Sequence, residues 1–176
     1  PVRTSVRRRL PWMLVNLLTA FVAAATVGLF DETIGKAAVL ALFMPVVAGM
    51  GGNAGTQTAT IAVRSIALGD LDVRDVFRAC RKEIMVAMAN GLAIGVAAGI
   101  GAYIWKQNDA LSLVIAAALF LNICAATMGG VLIPLGLKAV RVDPALAANI
   151  FVTTVTDVMG FVFFLGLASI AIEQIR

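Results

Sequence analysis

Five apolar blocks, at about 12–30, 36–68, 84–105, 110–137 and 144–172, take up nearly the whole chain and decide what it can fold into. A helix rises about 1.5 Å per residue, so about 20 apolar residues cross a hydrocarbon core of roughly 30 Å. In lipid every backbone N–H and C=O must be satisfied within the chain, which makes helices the structure expected of such blocks. Composition agrees: 61% of the 176 residues are apolar and 14% charged, against roughly 25% charged in a water-soluble domain. The expectation is an all-α integral membrane protein, one transmembrane domain over residues 1–176 with five transmembrane helices. Three blocks exceed the minimum length and should tilt or protrude. No internal repeat or low-complexity linker divides the chain.

Lysine and arginine collect on the cytoplasmic side of a membrane protein, so their positions set its orientation. The leader with Arg3, Arg7, Arg8 and Arg9, the segment from Arg64 to Lys82 and the turn from Lys138 to Arg141 hold 11 of the 14, leaving Lys36, Lys106 and Arg176 for the other face. This places the N-terminus in the cytoplasm and the C-terminus outside, as five crossings require. The leader suggests a signal peptide, but the apolar run behind it is too long and lacks a convincing small-residue cleavage pattern. The stretch 69–83 mixes Asp70, Asp72, Asp75 and Glu83 with Arg74, Arg78, Arg81 and Lys82 and reads as a solvated, ion-paired helical connection. That charge run is assigned to topology and solubility rather than to substrate binding, the location expected is a cell (inner) membrane, and no nucleic-acid partner is expected.

The chain has no histidine, which removes His-based acid-base catalysis and His-ligated zinc. Cys80 and Cys124 stand too far apart in sequence to form a ligand or redox motif. An intramembrane aspartyl protease needs two aspartates in the membrane, and only one lies deep within a block, without a Gly-x-Gly-Asp context. No enzyme activity is expected. That one aspartate is Asp157, 13 residues beyond Pro144 and so about 20 Å along its helix. An unpaired carboxylate there is expensive, and no lysine or arginine lies at a matching depth. Such a group faces water, a cation or a proton path; the structural alternative is a protonated Asp bonded to a neighbouring helix.

At roughly 100° per residue, Thr153, Thr156, Asp157 and Gly160 fall with Asn149 on one face of the fifth helix. The second block repeats the spacing with Pro45, Gly49, Gly52, Asn53, Thr56 and Thr60. Polar and small residues also serve as glue between membrane helices, and Asp157 favours a pore over glue. The run from Pro45 to Gln57, with one proline and four glycines, is expected to weaken the helix and bare its carbonyls. Irregular backbone at that depth persists only where protein or a water-filled cavity covers it. Asn53 and Asp157 lie at similar distances from the cytoplasmic helix ends and are expected to line one passage.

The Gly-Gly-Asn-x-Gly-Thr-Gln core ending at Gln57, Ile133-Pro-Leu135, Asp143-Pro-Ala145 and the segment Thr153 to Phe161 together resemble the membrane domain of the MgtE magnesium channel family. The resemblance implies a homodimer with a pore on its two-fold axis, lined by the second and fifth helices. It implies that Asp157 holds hydrated Mg²⁺, the transported ion, with Asn149, Thr153 and Gly160 shaping the site and Gly49, Gly52, Asn53 and Thr56 lining the second helix. The family's cytosolic N domain and paired CBS modules are not represented in these residues. They would be partners in a longer protein, and gating by them is not expected of this chain. The function expected is a channel passing hydrated Mg²⁺, with other divalent cations open, into the cytoplasm. A secondary exchanger coupled to Na⁺ or H⁺, and a non-transporting structural membrane subunit, stand as alternatives.

Overall fold

A computed structural model describes residues 2–175 and, within them, every side chain except that of Arg8. The placement of Arg176 on the outer face therefore lies outside the described residues. The chain forms α1 (Val2–Gly28), α2 (Asp31–Lys36), α3 (Val39–Leu68), α4 (Val76–Lys106), α5 (Asp109–Ala139), α6 (Pro144–Ile170) and α7 (Ile172–Ile175), with a 3-10 turn at Val73–Asp75 ahead of α4. Helices α1, α3, α4, α5 and α6 are long and apolar enough to cross a membrane. Many large apolar side chains point outward, among them Leu18, Phe21, Ile104 and Leu113, as lipid-facing surface requires.

The centre of the bundle is α5, which packs against α3, α4 and α6, while α3 also packs on α6 and α1 lies along α6. Over half of α5's most apolar window is buried (56%), against 6% for α1. Leu40, Phe43 and Val47 of α3, Ile115 and Leu119 of α5, and Phe164 and Leu165 of α6 form part of one core cluster. Lipid is as apolar as leucine, so burial alone does not drive these contacts; close packing of small residues does much of that. On α4, Gly91, Gly95 and Gly99 recur every fourth residue and face Phe120, Ala116 and Ser112 of α5, where a Cβ at Gly95 would stand 2.6 Å from the Ala116 carbonyl oxygen.

Local signals account for the helix ends. Gly69, at φ 81°, ends α3 in a left-handed cap, a conformation glycine adopts without strain. The Asn108 side chain accepts from Leu111 N–H at 2.8 Å to cap α5, and Asp143 accepts from Ala145 N–H at 2.9 Å to cap α6, with Pro144 at the first turn. The α3–α4 connection is held by Lys138, whose ammonium lies 3.1 Å from Asp72 and donates to the Leu71 carbonyl. The Val73 N–H, and then Lys138, hold the Asp72 carboxyl below the usual carboxylate range.

Four sequence expectations change. The first helix begins at Val2 rather than near Trp12 and runs through Pro11, because the basic leader continues the helix beyond the apolar run. The second block divides, Lys36 ending α2 before α3 starts. The connection is a turn followed by the first turns of α4, and among the described residues Arg78–Asp75 at 3.7 Å is the one ion pair between its own side chains, Asp72 pairing instead with Lys138. The Pro45–Gln57 run is not irregular: α3 is continuous from Val39 to Leu68. Its glycines Gly51 and Gly55 turn inward against α5 and α6, so they bring helices together rather than breaking one.

Candidate ion-binding site

Helices α3 and α6 cross with Gly52 beside Thr156, a Cβ at Gly52 standing 3.9 Å from the Thr156 hydroxyl. Asn53 and Asp157 follow these two residues and so share one level in the bundle. Asp157 is neither buried nor fully exposed. No hydrogen bond or ion pair engages its carboxylate among the described residues, and no group of three or more acidic, Cys or His side chains there forms a metal cage. The protonated aspartate bonded to a neighbouring helix finds no partner for that bond.

The polar arc of α6 divides in two. Asn149 is exposed and Thr153 and Asp157 are half-buried, whereas Thr156 and Gly160 are buried. Thr156 packs with Val152 against Gly55 of α3, and Gly160 packs against Asn122 of α5. These two lie behind the open face and hold its shape. A surface groove of about 430 Å³ runs between α3 and α6, with Thr56, Thr60 and Arg64 on one wall and Pro144 and Asn149 on the other. A second, of about 610 Å³, places Asn149 and Thr153 opposite Arg9, Trp12 and Asn16 of α1.

On α3, Gly49 is exposed with nothing near it, and Gly52 and Thr56 are partly exposed. Asn53 departs from the expectation of a single passage. It lines a groove with Gln57, Glu83 and Asn90, between α3, α4 and α5, to which α6 contributes nothing. A step of one residue from Gly52 turns the side chain by roughly 100°, enough to move it round the helix.

The chemistry of the open face is that of acceptors. The Thr153 hydroxyl donates to the Asn149 and Ile150 carbonyls at 3.0 Å, and that of Thr60 to the Thr56 carbonyl at 2.8 Å. Each such hydroxyl has spent its proton within the helix and presents lone pairs outward. Beside an unpaired carboxylate, this arrangement suits a ligand that is cationic and rich in hydrogen-bond donors. Sequence reasoning missed Asn122, which is fully buried on α5 and donates to the Val47 carbonyl of α3 at 2.9 Å. A single amide inside an apolar block has no periodicity to announce it.

A bundle of five long apolar helices with an unpaired carboxylate at mid-depth in one of them is the arrangement of a multi-pass membrane protein. The chain belongs to the MgtE family, described as a divalent cation transporter, whose pattern matches residues 44–167. It is similar to the magnesium transporter MgtE of Bacillus subtilis, 31% identical over 168 residues. It is also similar to those of Thermus thermophilus, 33% identical over 167 residues, and Enterococcus faecalis, 30% over 162. These alignments cover 92–96% of this chain but 36–37% of each relative, so the chain spans little more than a third of the curated relatives it matches.

Proposed function

We propose that this chain forms the membrane pore of a Mg²⁺ channel, with two copies meeting through the open faces of α3 and α6 and Asp157 of each holding the hydrated ion. One observation carries the reading: Asp157 is an unpaired, half-exposed carboxylate among acceptors on the protomer's surface at mid-span, where lipid would not tolerate it. Mg²⁺ keeps near-octahedral geometry and dehydrates reluctantly, and is typically held by one or two carboxylates with several waters retained. Two copies supply two carboxylates. The Thr153 hydroxyl, one turn from Asp157, accepts hydrogen bonds from the waters. The Thr60 hydroxyl and the Asn149 amide, about 12 Å along their helices, offer acceptors further along the path, and the paired negative charge excludes anions. Gly49 and Gly52 keep the α3 wall clear, with Thr56 beside them, and Thr156 and Gly160 fix the α6 wall from behind.

With the basic end of the bundle in the cytoplasm, an inside-negative potential favours inward movement of a divalent ion by about 4.6 kcal/mol per 100 mV, twice the single-charge value. Downhill flow then needs no other energy source. The test is Mg²⁺ flux in liposomes reconstituted with wild type and with Asp157→Asn, which keeps the side-chain shape and removes the charge. Flux lost at least tenfold, with unchanged helicity and elution from gel filtration, is expected, ten-fold corresponding to about 1.4 kcal/mol. Wild-type flux in the folded variant overturns the assignment.

A further inference from the structure

Asn122 sits where α3, α5 and α6 meet, with 0% of its surface accessible. Its Nδ2 donates to the Val47 carbonyl of α3 at 2.9 Å. Chemistry fixes this orientation, because the reversed amide would set Oδ1 against a carbonyl oxygen. Oδ1 is then buried with no hydrogen-bond partner among the described residues. Two glycines make room for the amide: a Cβ on Gly51 of α3 would collide with Nδ2, and one on Gly160 of α6 would stand 2.6 Å from it. Gly160 lies three residues beyond Asp157 on α6, and Gly51 precedes the Gly52 that faces Thr156. A single side chain therefore touches both helices of the polar face, within a turn of the carboxylate.

Packing alone does not explain an amide here. Leucine has nearly the same shape and would leave no acceptor unpaired, and an orphaned buried acceptor costs at least as much as one hydrogen bond returns. Buried polar groups of this sort are best attested as devices that fix register at some cost in stability. We propose that Asn122 is a positioning residue, locking α3 and α6 in the register that sets Thr156, and with it Asp157, level with Gly52 of α3. Its consequence for transport rests on the reading of Asp157 above; the register itself does not.

The experiment uses the full chain carrying Cys80→Ala and Cys124→Ala, with Thr56→Cys and Asn149→Cys placed on opposite walls of the α3–α6 groove. The rate at which Cd²⁺ bridges the pair reads the register without reference to transport; thermal unfolding in detergent and Mg²⁺ and Ca²⁺ fluxes in liposomes, the fluxes measured without the introduced pair, complete it. For Asn122→Leu the expectation is an equal or higher Tm, bridging about tenfold slower, and Mg²⁺ flux reduced roughly 10- to 100-fold, the range that misplacement by about 1 Å produces. Bridging at the parental rate overturns the proposal, whether or not Tm falls. Should Asn122→Leu not fold, Gly160→Ala displaces the amide instead and must slow bridging likewise; unchanged bridging there also overturns it. Slowed bridging in a protein that never passes Mg²⁺ upholds the register role and removes the transport reading.

Discussion

Whether the ion keeps its water at Asp157 is decided by one carboxylate and the acceptors around it. If Asp157 reads Mg²⁺ through its hydration shell, cobalt(III) hexaammine, whose ammines are exchange-inert and point donors outward, should block Mg²⁺ flux in wild type and lose its block in a folded Asp157→Ala protein with residual flux. Ca²⁺, larger and more flexible in coordination, should compete poorly. Absence of hexaammine block together with strong Ca²⁺ competition would show an ion stripped at the carboxylate. Asp157→Glu tests the same spacing: the extra methylene moves the carboxylate by about 1 Å, beyond the roughly 0.5 Å within which a tuned site works, so flux should fall severalfold while the charge remains. Asp157 was legible because it is the one acid deep within a block. The difference in burial between Asn149, Thr153 and Asp157, which stay accessible, and Thr156 and Gly160, which do not, was not. An arc of about 100° spans both the open face and the contact with α3 and α5, and a helical wheel does not say where the neighbours stand.

Among the helices, the tightest approach of backbone to backbone carries a stability prediction. Gly95→Ala puts a Cβ 2.6 Å from the Ala116 carbonyl oxygen, a backbone atom that cannot swing aside, so α4 must lift from α5. Overpacking of this kind costs about 1–3 kcal/mol, read as a lower Tm in detergent. Gly101, on the same helix, has nothing within 4 Å of a Cβ, and Gly101→Ala should leave stability unchanged or raise it by up to about 1 kcal/mol. Equal effects at both positions would mean that α4 and α5 do not meet as described. The five long helices could be read from length and apolarity alone, and Gly69, Asn108 and Asp143 mark ends that sequence chemistry predicts. The start of α1 could not be read that way, since its first ten residues are too polar to count as span yet continue its helix through Pro11. The glycines of α3 misled in the opposite direction: composition reads them as weakness, while Gly51 and Gly55 are contact points whose partners lie on other helices.

At the scale of the whole molecule, the open face of α3 and α6 demands a cover. Asp157 at mid-span costs about 2.5–3.5 kcal/mol in lipid even on the lenient scale of insertion measurements, and Asn149, Thr153, Thr56 and Thr60 add to it. Within the chain, α1 faces only the Asn149 and Thr153 end of α6, across a groove lined by Arg9, Trp12 and Asn16, and α4 packs on α5. In the proposed dimer, a second copy applied by a two-fold axis would meet like with like and turn two polar walls into four around a common space. Asn149→Cys, in the background without Cys80 and Cys124, should therefore form a disulfide-linked dimer in native membranes under mild oxidation. Leu92→Cys on the exposed side of α4, where the residue is 61% accessible, should stay monomeric under the same conditions. Crosslinking at Leu92 but not at Asn149 would move the interface to α4 and leave Asp157 facing lipid or an unrelated partner. Linked dimers at Asn149 that retain Mg²⁺ flux after reduction would place the two carboxylates on one axis, the arrangement that lets one acid per chain hold a divalent ion.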